Sequence, residues 1–456
     1  MGSTPVGSHR IEGPVTGEAQ VPALEEVFGV TSRPVLSYVS RSQVDDTFKQ
    51  ALDSHKQIIV YGSSKQGKTA LVSKYLPYDD HLLVSLTPKT RLLDVYQSIL
   101  SRAGVRILSD STEKSNTESS VSVVAKFRAI IPLFGGAEAE TGGKTKAGSG
   151  NDNNYESVPV NLELPQTVSD LLQRVKNNRW VILENFHYLP DEVQQQFAFD
   201  LRAFQELGVK FVILGVWREK NRMAQFNGDL LDRTVEVPVE PWTDADFRRV
   251  AKAGADALNI EFGDQLLTSA VSASFSSIGV FQELLKLVCI HAGVRNSQAR
   301  KLVLSDNFSL ATAITEKTGD YGARHERALE AIAAGHNSGG PKGEQVPLFL
   351  PYYLVRTILE HGFDGVSAGV RKQTMWDWIR AVHHRGQDVR SSDMTNLLGG
   401  IANLQSTKSI SPPILAYDAQ QRILQVVDST FYFFIKNANL TEVLESIQDP
   451  VAEHRR

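Results

Sequence analysis

Short apolar segments alternate with amphipathic segments along the first half of the chain. The apolar segments that have the length of buried strands are 57–61, 81–86, 180–183, 209–216 and 234–237. The segments in which apolar residues recur at helical spacing are 92–103, 168–176, 190–207 and 224–231. Strands that alternate with helices in this way predict a parallel sheet with helices on both faces. We therefore expect an α/β core domain over residues 30–242.

Residues 110–159 interrupt this alternation. Residues 111–120 are polar, whereas residues 121–136 are apolar and alternate as a strand does. Gly, Ser, Asn and charged residues then dominate 137–154, a composition typical of a disordered loop. The pattern predicts an insertion at 110–159, formed by a β-hairpin or ribbon with a disordered tip, that projects from the core domain.

The strand pattern stops after Trp242, and in residues 243–335 the apolar residues recur at helical spacing. This predicts a helical lid domain whose helices cover 244–255, 265–273, 280–291 and 320–334. Beyond a Gly-rich linker, residues 344–440 show the order helix, helix, helix, hairpin, which is that of a winged helix. Residues 1–29 and 441–456 are expected to be terminal tails.

Composition narrows the class of protein without identifying it. The chain has 456 residues and a net charge of −4, with 41% hydrophobic and 22% charged residues. These values are typical of globular proteins and exclude collagen-like and wholly disordered chains. The single cysteine excludes a disulfide framework, and the sequence lacks the ~20 uninterrupted apolar residues that span a bilayer. We expect a cytoplasmic protein with no membrane partner.

The strongest motif lies between the first predicted strand and the helix that follows it. The segment Gly62–Thr69 fits the pattern GxxxxGK[ST] at every fixed position. Loop N–H groups surround a β-phosphate in this motif, while Lys68 reaches the β- and γ-phosphates and Thr69 ligates Mg²⁺. The residues predicted to bind ATP or ADP here are Gly62, Ser63, Ser64, Lys65, Gln66, Gly67, Lys68, Thr69 and Ala70. The motif predicts a P-loop NTPase domain.

An acidic residue should stand at the end of another core strand, where it can hold Mg²⁺. The apolar segment 180–183 runs into Glu184 and Asn185. Glu184 can serve the metal directly or through water. Asn185 can orient a water but cannot take its proton, so the sequence predicts ATP binding with slow hydrolysis. The alternative is that Glu184 only ends a strand.

In this order, the phosphate loop and the segments 184–189, 211–216 and 227–233 resemble the AAA+ ATPases of the origin-recognition and STAND (signal-transduction ATPase) branches. The resemblance implies a nucleotide domain followed by a helical lid and often a winged helix. It also implies that Tyr38, Val39 and Arg41 lie on the adenine base. A plain segment before a helix is the alternative for these three residues.

The resemblance extends to further positions. It places Trp217 and Arg218 where the family has its polar γ-phosphate sensor, although a Trp-Arg pair departs from that pattern. Arg233 matches the arginine that reaches a neighbouring subunit's nucleotide, with a salt bridge to Asp229 or Asp232 as the alternative. The lid segment 278–283 lacks the family's second sensor arginine.

The motifs and the resemblance leave two functions open. The first is a STAND-like switch ATPase whose nucleotide state controls homo-oligomerisation and engagement of a protein partner or effector, a role that would suit bacterial antiviral defence. The second is an origin-recognition-like ATPase that binds DNA through residues 371–395. Residues 351–395 include six basic and five acidic residues, so their charges nearly balance. DNA-reading modules normally show a basic excess, so the first function is favoured.

Overall fold

The computed structural model describes residues 21–31, 34–109, 127–132, 155–335 and 346–454. The core elements in chain order are α1 Leu24–Val27, α2 Thr47–Leu52, β1 Gln57–Tyr61, α3 Lys68–Tyr75, β2 Leu82–Ser85, α4 Leu92–Arg102, β3 Arg106–Ser109, β4 Phe127–Pro132, β5 Tyr155–Val160, α5 Pro165–Arg174, β6 Val181–Glu184, α6 Asp191–Glu206, β7 Phe211–Gly215, α7 Arg222–Phe226 and β8 Thr234–Pro238.

The centre of the core domain is a parallel sheet in the order β2-β6-β7-β1-β8. All residues of β1 and β7 are buried because helices cover both faces of the sheet. Burial on both faces favours apolar side chains throughout, which is why these segments are nearly continuous apolar runs. The carboxyl ends of β1, β6 and β7 meet at one edge, where an open α/β sheet binds its ligands.

The insertion forms a second, antiparallel sheet in the order β3-β4-β5. Its inward residues Phe127, Ala129 and Ile131 are buried in the same hydrophobic core as the parallel sheet. The ribbon therefore packs on the core domain rather than projecting from it. The predicted disordered tip lies outside the described residues.

The lid consists of α8 Asp244–Leu258, β9 Ile260–Phe262, α9 Asp264–Ala273, α10 Ile278–His291, β10 Leu302–Leu304 and α11 Asn307–Ala334. The last helix begins well before the predicted start at residue 320. The N-terminal segment also belongs here: Leu24, Val27 and Phe28 are buried in the lid core, with Phe28 packed against Gly254. The prediction of a tail over 1–29 is therefore wrong for residues 22–28, because their apolar side chains complete this core.

The C-terminal domain consists of α12 Leu350–Val366, β11 Val370–Arg371, α13 Lys372–Val382, α14 Ser391–Gly399, α15 Ile401–Thr407, β12 Leu415–Asp418, β13 Ile423–Val426, α16 Ser429–Asn437, α17 Leu440–Ser446 and α18 Pro450–His454. Its sheet has the order β11-β13-β12. Val443, Ile447 and Val451 are buried in the domain's core. The predicted tail at 441–456 is thus a helical part of this domain as far as residue 454.

Within the described ranges, no helix combines the length and apolarity that crossing a bilayer requires.

Candidate functional site

The phosphate loop is a tight turn between β1 and α3 whose backbone needs glycine. Gly62 has φ 149° and Gly67 has φ 84°, conformations that residues with a Cβ rarely adopt. A Cβ on Gly62 would also lie 2.7 Å from Cγ2 of Val239. Lys65, at φ 57°, adopts the left-handed conformation as well. The loop thus opens directly onto the N-terminus of α3, whose free N–H groups favour an anion.

Lys68 is the cation of the phosphate loop. Its Nζ donates to the carbonyl oxygens of Gly62 at 2.9 Å and Ser63 at 2.6 Å. Burial lowers the pKa of Lys68 to about 8, and the carboxylates of Glu240 and Asp428 only partly offset that effect. A buried ammonium whose hydrogen bonds go to loop carbonyls suits an incoming phosphate.

Two oxygen atoms suited to Mg²⁺ meet at the end of β6. Thr69 Oγ1 donates to Glu184 Oε1 at 3.0 Å, so the loop threonine and the strand-end acid are neighbours. Tyr78, which sequence reasoning missed, donates to the same carboxylate oxygen at 2.7 Å. Mg²⁺ is usually held by one or two protein oxygens together with phosphate oxygens and water. Thr69 and Glu184 fit that role.

Asn185 directly follows this acid and lies in the left-handed region, with φ 62° and ψ 34°. Asn adopts this conformation more readily than most residues. The backbone then enters a short 3₁₀ turn at Phe186–Tyr188, which brings His187 close enough to Lys68 and Arg222 for their charges to add to the effect of burial. Burial first, and these charges second, lower the pKa of His187 to about 3. His187 is therefore neutral at physiological pH.

A cavity of about 190 Å³ adjoins the phosphate loop. The segment before α2 contributes Tyr38, Val39 and Arg41, so the structure brings all three residues predicted for the base to this cavity. Trp242, at the start of the lid, completes one wall, and the Arg41 guanidinium lies 3.6 Å from the centre of its ring. An apolar cavity with a few polar groups beside a phosphate loop has the character of a nucleoside pocket.

Arg218, predicted at the sensor position, lies on the phosphate loop. Its Nε donates to Ser63 Oγ at 2.8 Å, and its NH2 is 3.8 Å from a carboxylate oxygen of Glu240. Glu240 also accepts the backbone N–H of Ser63 at 2.7 Å. The loop is thus held on this side by an arginine and a carboxylate, each from beyond the end of a core strand.

The C-terminal domain holds the phosphate loop from the other side. Ser64 Oγ donates to Asp428 Oδ1 at 2.8 Å, and the Ser64 backbone N–H donates to Val427 O at 3.2 Å. Ser429 Oγ in turn donates to Ser64 O at 2.8 Å. The junction of β13 and α16 therefore satisfies both the backbone and the side chain of one loop residue. Nothing local in the sequence marks this contact, and sequence reasoning missed it.

The lid fixes the next two loop residues. Lys65 Nζ donates to the hydroxyl of Tyr321 on α11 at 3.3 Å, and Lys65 O accepts the N–H of Gly279 at 2.9 Å. Gln66 Nε2 donates to Ser276 O at 3.1 Å. Ser64, Lys65 and Gln66 are three of the motif's four variable positions, and all three are thus engaged by elements outside the core domain.

Asp428 is 1% exposed and forms an ion pair with a residue of the long helix α11. Arg324 NH1 lies 2.6 Å from Asp428 Oδ2. Burial of Asp428 opposes its ionisation, but Arg324 and His325 hold the pKa of the carboxyl below its usual value. His325 also contacts Thr430 Oγ1 at 2.9 Å. The carboxylate that touches the phosphate loop is therefore charged and paired.

Arg233 lies at the domain edge between residue 230 and β8, away from the phosphate loop. Its guanidinium donates to Gln205 Oε1 at 2.5 Å and lies 3.0 Å from Glu206 Oε1. Asp229 instead pairs with Arg202. Arg233 therefore forms a salt bridge, but its partner is Glu206 on α6 and not Asp229 or Asp232 as predicted.

The parallel sheet, the phosphate loop between β1 and α3, and the acid at the end of β6 together constitute a P-loop NTPase fold. No family model matches the chain, and no curated protein matches it in sequence. A Walker-type ATPase of Pyrococcus abyssi matches in structure with TM-score 0.46 and 10% identity, over 88% of this chain and 99% of that one.

Two further solved structures are similar to this chain with lower TM-scores. The ORC1 protein of Aeropyrum pernix, in complex with DNA, gives TM-score 0.39 and 12% identity over 90% of this chain and 92% of that one. The RuvB Holliday junction branch migration motor of Thermotoga maritima gives 0.37 and 11% over 88% and 96%. At such low TM-scores and identities, these likenesses assign no residue role and no ligand to this chain.

Proposed function

We propose that this protein is an ATP-binding switch ATPase of the AAA+/STAND type, in which nucleotide controls whether the C-terminal domain docks on the phosphate loop. The observation that carries the proposal is the hydrogen bond from Ser64 in the loop to Asp428 in the C-terminal domain. An ionised carboxylate thus contacts the loop that would receive an anionic ligand.

The nucleotide fits the residues that line the loop and the cavity. Lys68 and the N-terminus of α3 would hold the phosphates, and the cavity beside Tyr38 and Trp242 would hold the nucleoside. Thr69 and Glu184 would hold Mg²⁺. The metal supplies charge neutralisation on the phosphates when it is bound.

Charge explains how nucleotide would act on the docked domain. Phosphate bound beside Lys68 brings negative charge towards Asp428, and like charges in a region of low dielectric repel. ATP carries more charge than ADP and so disfavours docking more strongly. Because coupling is reciprocal, the docked domain weakens ATP binding relative to ADP binding by the same factor. In this proposal, ADP favours the docked form, in which Ser64 contacts Asp428.

Hydrolysis would be slow. Glu184 accepts hydrogen bonds from Thr69 and Tyr78 and would also hold the metal, and the neighbouring Asn185 has no basic group for the proton of an attacking water. The switch would then stay in its ATP form long enough to act on a partner. Undocking would free a surface for a second copy of the chain or for an effector protein, which would suit a role in defence. In the resulting oligomer, Arg233 would contact the nucleotide of a neighbouring subunit.

DNA binding through the C-terminal domain has less support. Of the basic residues at 371–395, Lys372 bonds Thr395, Arg380 bonds Gly386 O and Gln387, and Arg385 pairs with Asp388. Of these contacts, only that of Arg385 offsets a positive charge, but six basic residues over 351–395 are nearly balanced by five acidic ones, so this segment lacks the basic excess that contact with the phosphates of a duplex usually needs.

Equilibrium binding and size-exclusion chromatography test the proposal together. The wild type should bind ADP and ATP, and Asp428→Asn should tighten ATP binding more than ADP binding. The hydrodynamic size should increase with a non-hydrolysable ATP analogue and not with ADP. Asp418→Asn, a change on the exposed hairpin of the same domain, is the control. Equal effects of Asp428→Asn on ADP and ATP would refute the switch.

A further inference from the structure

Two buried polar atoms beside the cavity have no hydrogen-bond partner among the described residues. They are Oε1 of Gln66 and Nε1 of Trp242, and both residues line the cavity next to the phosphate loop. Buried polar groups are nearly always paired, so an unpaired one beside a candidate binding site is an open position for a ligand. One of these atoms is an acceptor and the other is a donor.

The side-chain amide of Gln66 is held in one orientation. Its residue is 2% exposed, and its Nε2 donates to the carbonyl oxygen of Ser276 at 3.1 Å. Turning the amide over would place two acceptors against each other, so the oxygen must be the unpaired atom. Ionised phosphate oxygens are acceptors only and cannot pair with it. Its partner has to be a donor.

One face of the Trp242 indole is covered by Arg41, and its Nε1–H has no hydrogen-bond acceptor among the described residues. Arg41 covers one face at 3.6 Å from the ring centre, so a base cannot stack there. A Cβ placed on Gly67 would lie 3.7 Å from Cζ2 of Trp242. Cζ2 and Nε1 are bonded to the same ring carbon, so the N–H edge of the indole lies on the side of the phosphate loop.

We propose that Gln66 and Trp242 recognise the nucleoside half of the bound nucleotide, Trp242 as donor and Gln66 as acceptor; this rests on the nucleotide binding proposed above. Adenosine matches the pair because its ring nitrogens accept, whereas its exocyclic amine and its ribose hydroxyls donate. The two residues therefore determine selectivity for the nucleoside, while Lys68 and the loop backbone bind the phosphates.

The test compares ATP with inorganic tripolyphosphate, which lacks a nucleoside. Gln66→Met and Trp242→Phe should each weaken ATP binding about tenfold and leave tripolyphosphate binding unchanged. Gln194→Met is a matched control: Gln194 is also 2% exposed, donates to a backbone carbonyl and has an unpaired Oε1, but it does not line the cavity. Trp378→Phe, in the C-terminal domain, is the tryptophan control. Equal losses for both ligands, or no loss for either, would overturn the proposal.

ATP analogues identify which group of the ligand donates to Gln66. They are measured on the wild-type protein, so this test does not depend on whether a variant folds. N6,N6-dimethyl-ATP lacks the amine protons, and 2′,3′-dideoxy-ATP lacks the ribose hydroxyls. One of these analogues should bind to the wild type about tenfold more weakly than ATP does. The affinity of that analogue should be the same for Gln66→Met as for the wild type. If neither binds more weakly, Gln66 does not read the nucleoside. If the wild type binds neither ATP nor tripolyphosphate, the proposed function fails instead.

Discussion

Ser64 and Asp428 are 364 residues apart in sequence, yet the Ser64 hydroxyl donates to the Asp428 carboxylate at 2.8 Å. The bond joins the phosphate loop to the last domain of the chain. The lid also contacts this carboxylate, since the guanidinium of Arg324 on α11 lies 2.6 Å from it. Core domain, lid and C-terminal domain therefore meet at one ionised group.

Lys68→Ala should abolish nucleotide binding while leaving the thermal midpoint of unfolding within a few degrees of wild type. The lysine would serve the phosphates, and in the structure it bonds loop carbonyl oxygens. Isothermal titration calorimetry with ATP measures the first effect and scanning calorimetry the second. Lys252→Ala, which removes an exposed lysine paired with Asp256 on the lid, should change neither. Unchanged ATP affinity in Lys68→Ala would show that the loop does not bind phosphate.

Nucleotide affinity should fall as pH rises through the pKa of Lys68, which burial lowers to about 8. Bound phosphate favours the ammonium form and so raises this pKa, which means that binding takes up a proton above pH 8. Affinity should be constant between about pH 6.5 and 7.5 and roughly tenfold weaker at about pH 9. Calorimetry at about pH 8.5 in two buffers of different ionisation enthalpy should detect the proton. A pH-independent affinity would mean that Lys68 does not contact the phosphates.

Asn185→Asp should raise the steady-state ATPase rate about tenfold or more, because a carboxylate can accept the proton that an amide cannot. Asp is preferable to Glu at this position because it tolerates a φ of 62° better. Asn221→Asp makes the same change at another left-handed asparagine, φ 58°, and should leave the rate unchanged. A rate at or below that of wild type would show that Asn185 already positions the water well enough.

Arg324→Gln should release the C-terminal domain partly, since it removes the counter-charge of Asp428. The buried carboxylate is then unpaired, and docking should weaken by about 1–3 kcal/mol. Hydrogen–deuterium exchange would report this as faster exchange of the Ser64 amide, which donates to Val427 O, compared with Arg327→Gln on the same helix. Exchange of this amide at the wild-type rate would show that Arg324 does not stabilise docking.

Arg233→Ala should lower both the ATPase rate and ATP-dependent oligomerisation without changing the monomer's affinity for ATP. Its pairs with Gln205 and Glu206 are partly exposed and contribute less than about 1 kcal/mol to stability. Mixing Arg233→Ala with Lys68→Ala should partly restore activity, because each lacks a different half of a shared site. Arg202→Ala, which pairs with Glu206 from the same edge, is the control. A chain that stays monomeric with every nucleotide, and shows no rescue, would exclude this role.

The parts of the site that are local in sequence were predictable. Gly62–Thr69 and Glu184 are each marked by a short apolar strand that runs into polar residues, and the structure brings them together. The C-terminal segment also contains a signal that the prediction of a tail neglects: the apolar residues Val443, Ile447 and Val451 recur every four positions. All three are buried, in α17, directly after it and in α18.

The contacts made by Asp428, Arg324 and Tyr78 could not be predicted in the same way. Each depends on how separate domains or distant elements pack, and no local spacing of residues encodes that packing. An isolated acid after a β-strand, such as Asp428, looks in sequence like an ordinary helix N-cap, and it does also accept the N–H of Thr430.

Hydrogen–deuterium exchange at the junction of β13 and α16 tests the central claim most directly. The backbone amides of residues 428–430, which are buried where Asp428 and Ser429 contact Ser64, should be protected in the apo and ADP states. A non-hydrolysable ATP analogue with Mg²⁺ should increase their exchange by about tenfold or more in the wild type, and it should have no effect in Lys68→Ala. Equal protection of these amides with ADP and with the ATP analogue, at saturating concentrations of each, would contradict the proposal that ATP undocks the C-terminal domain.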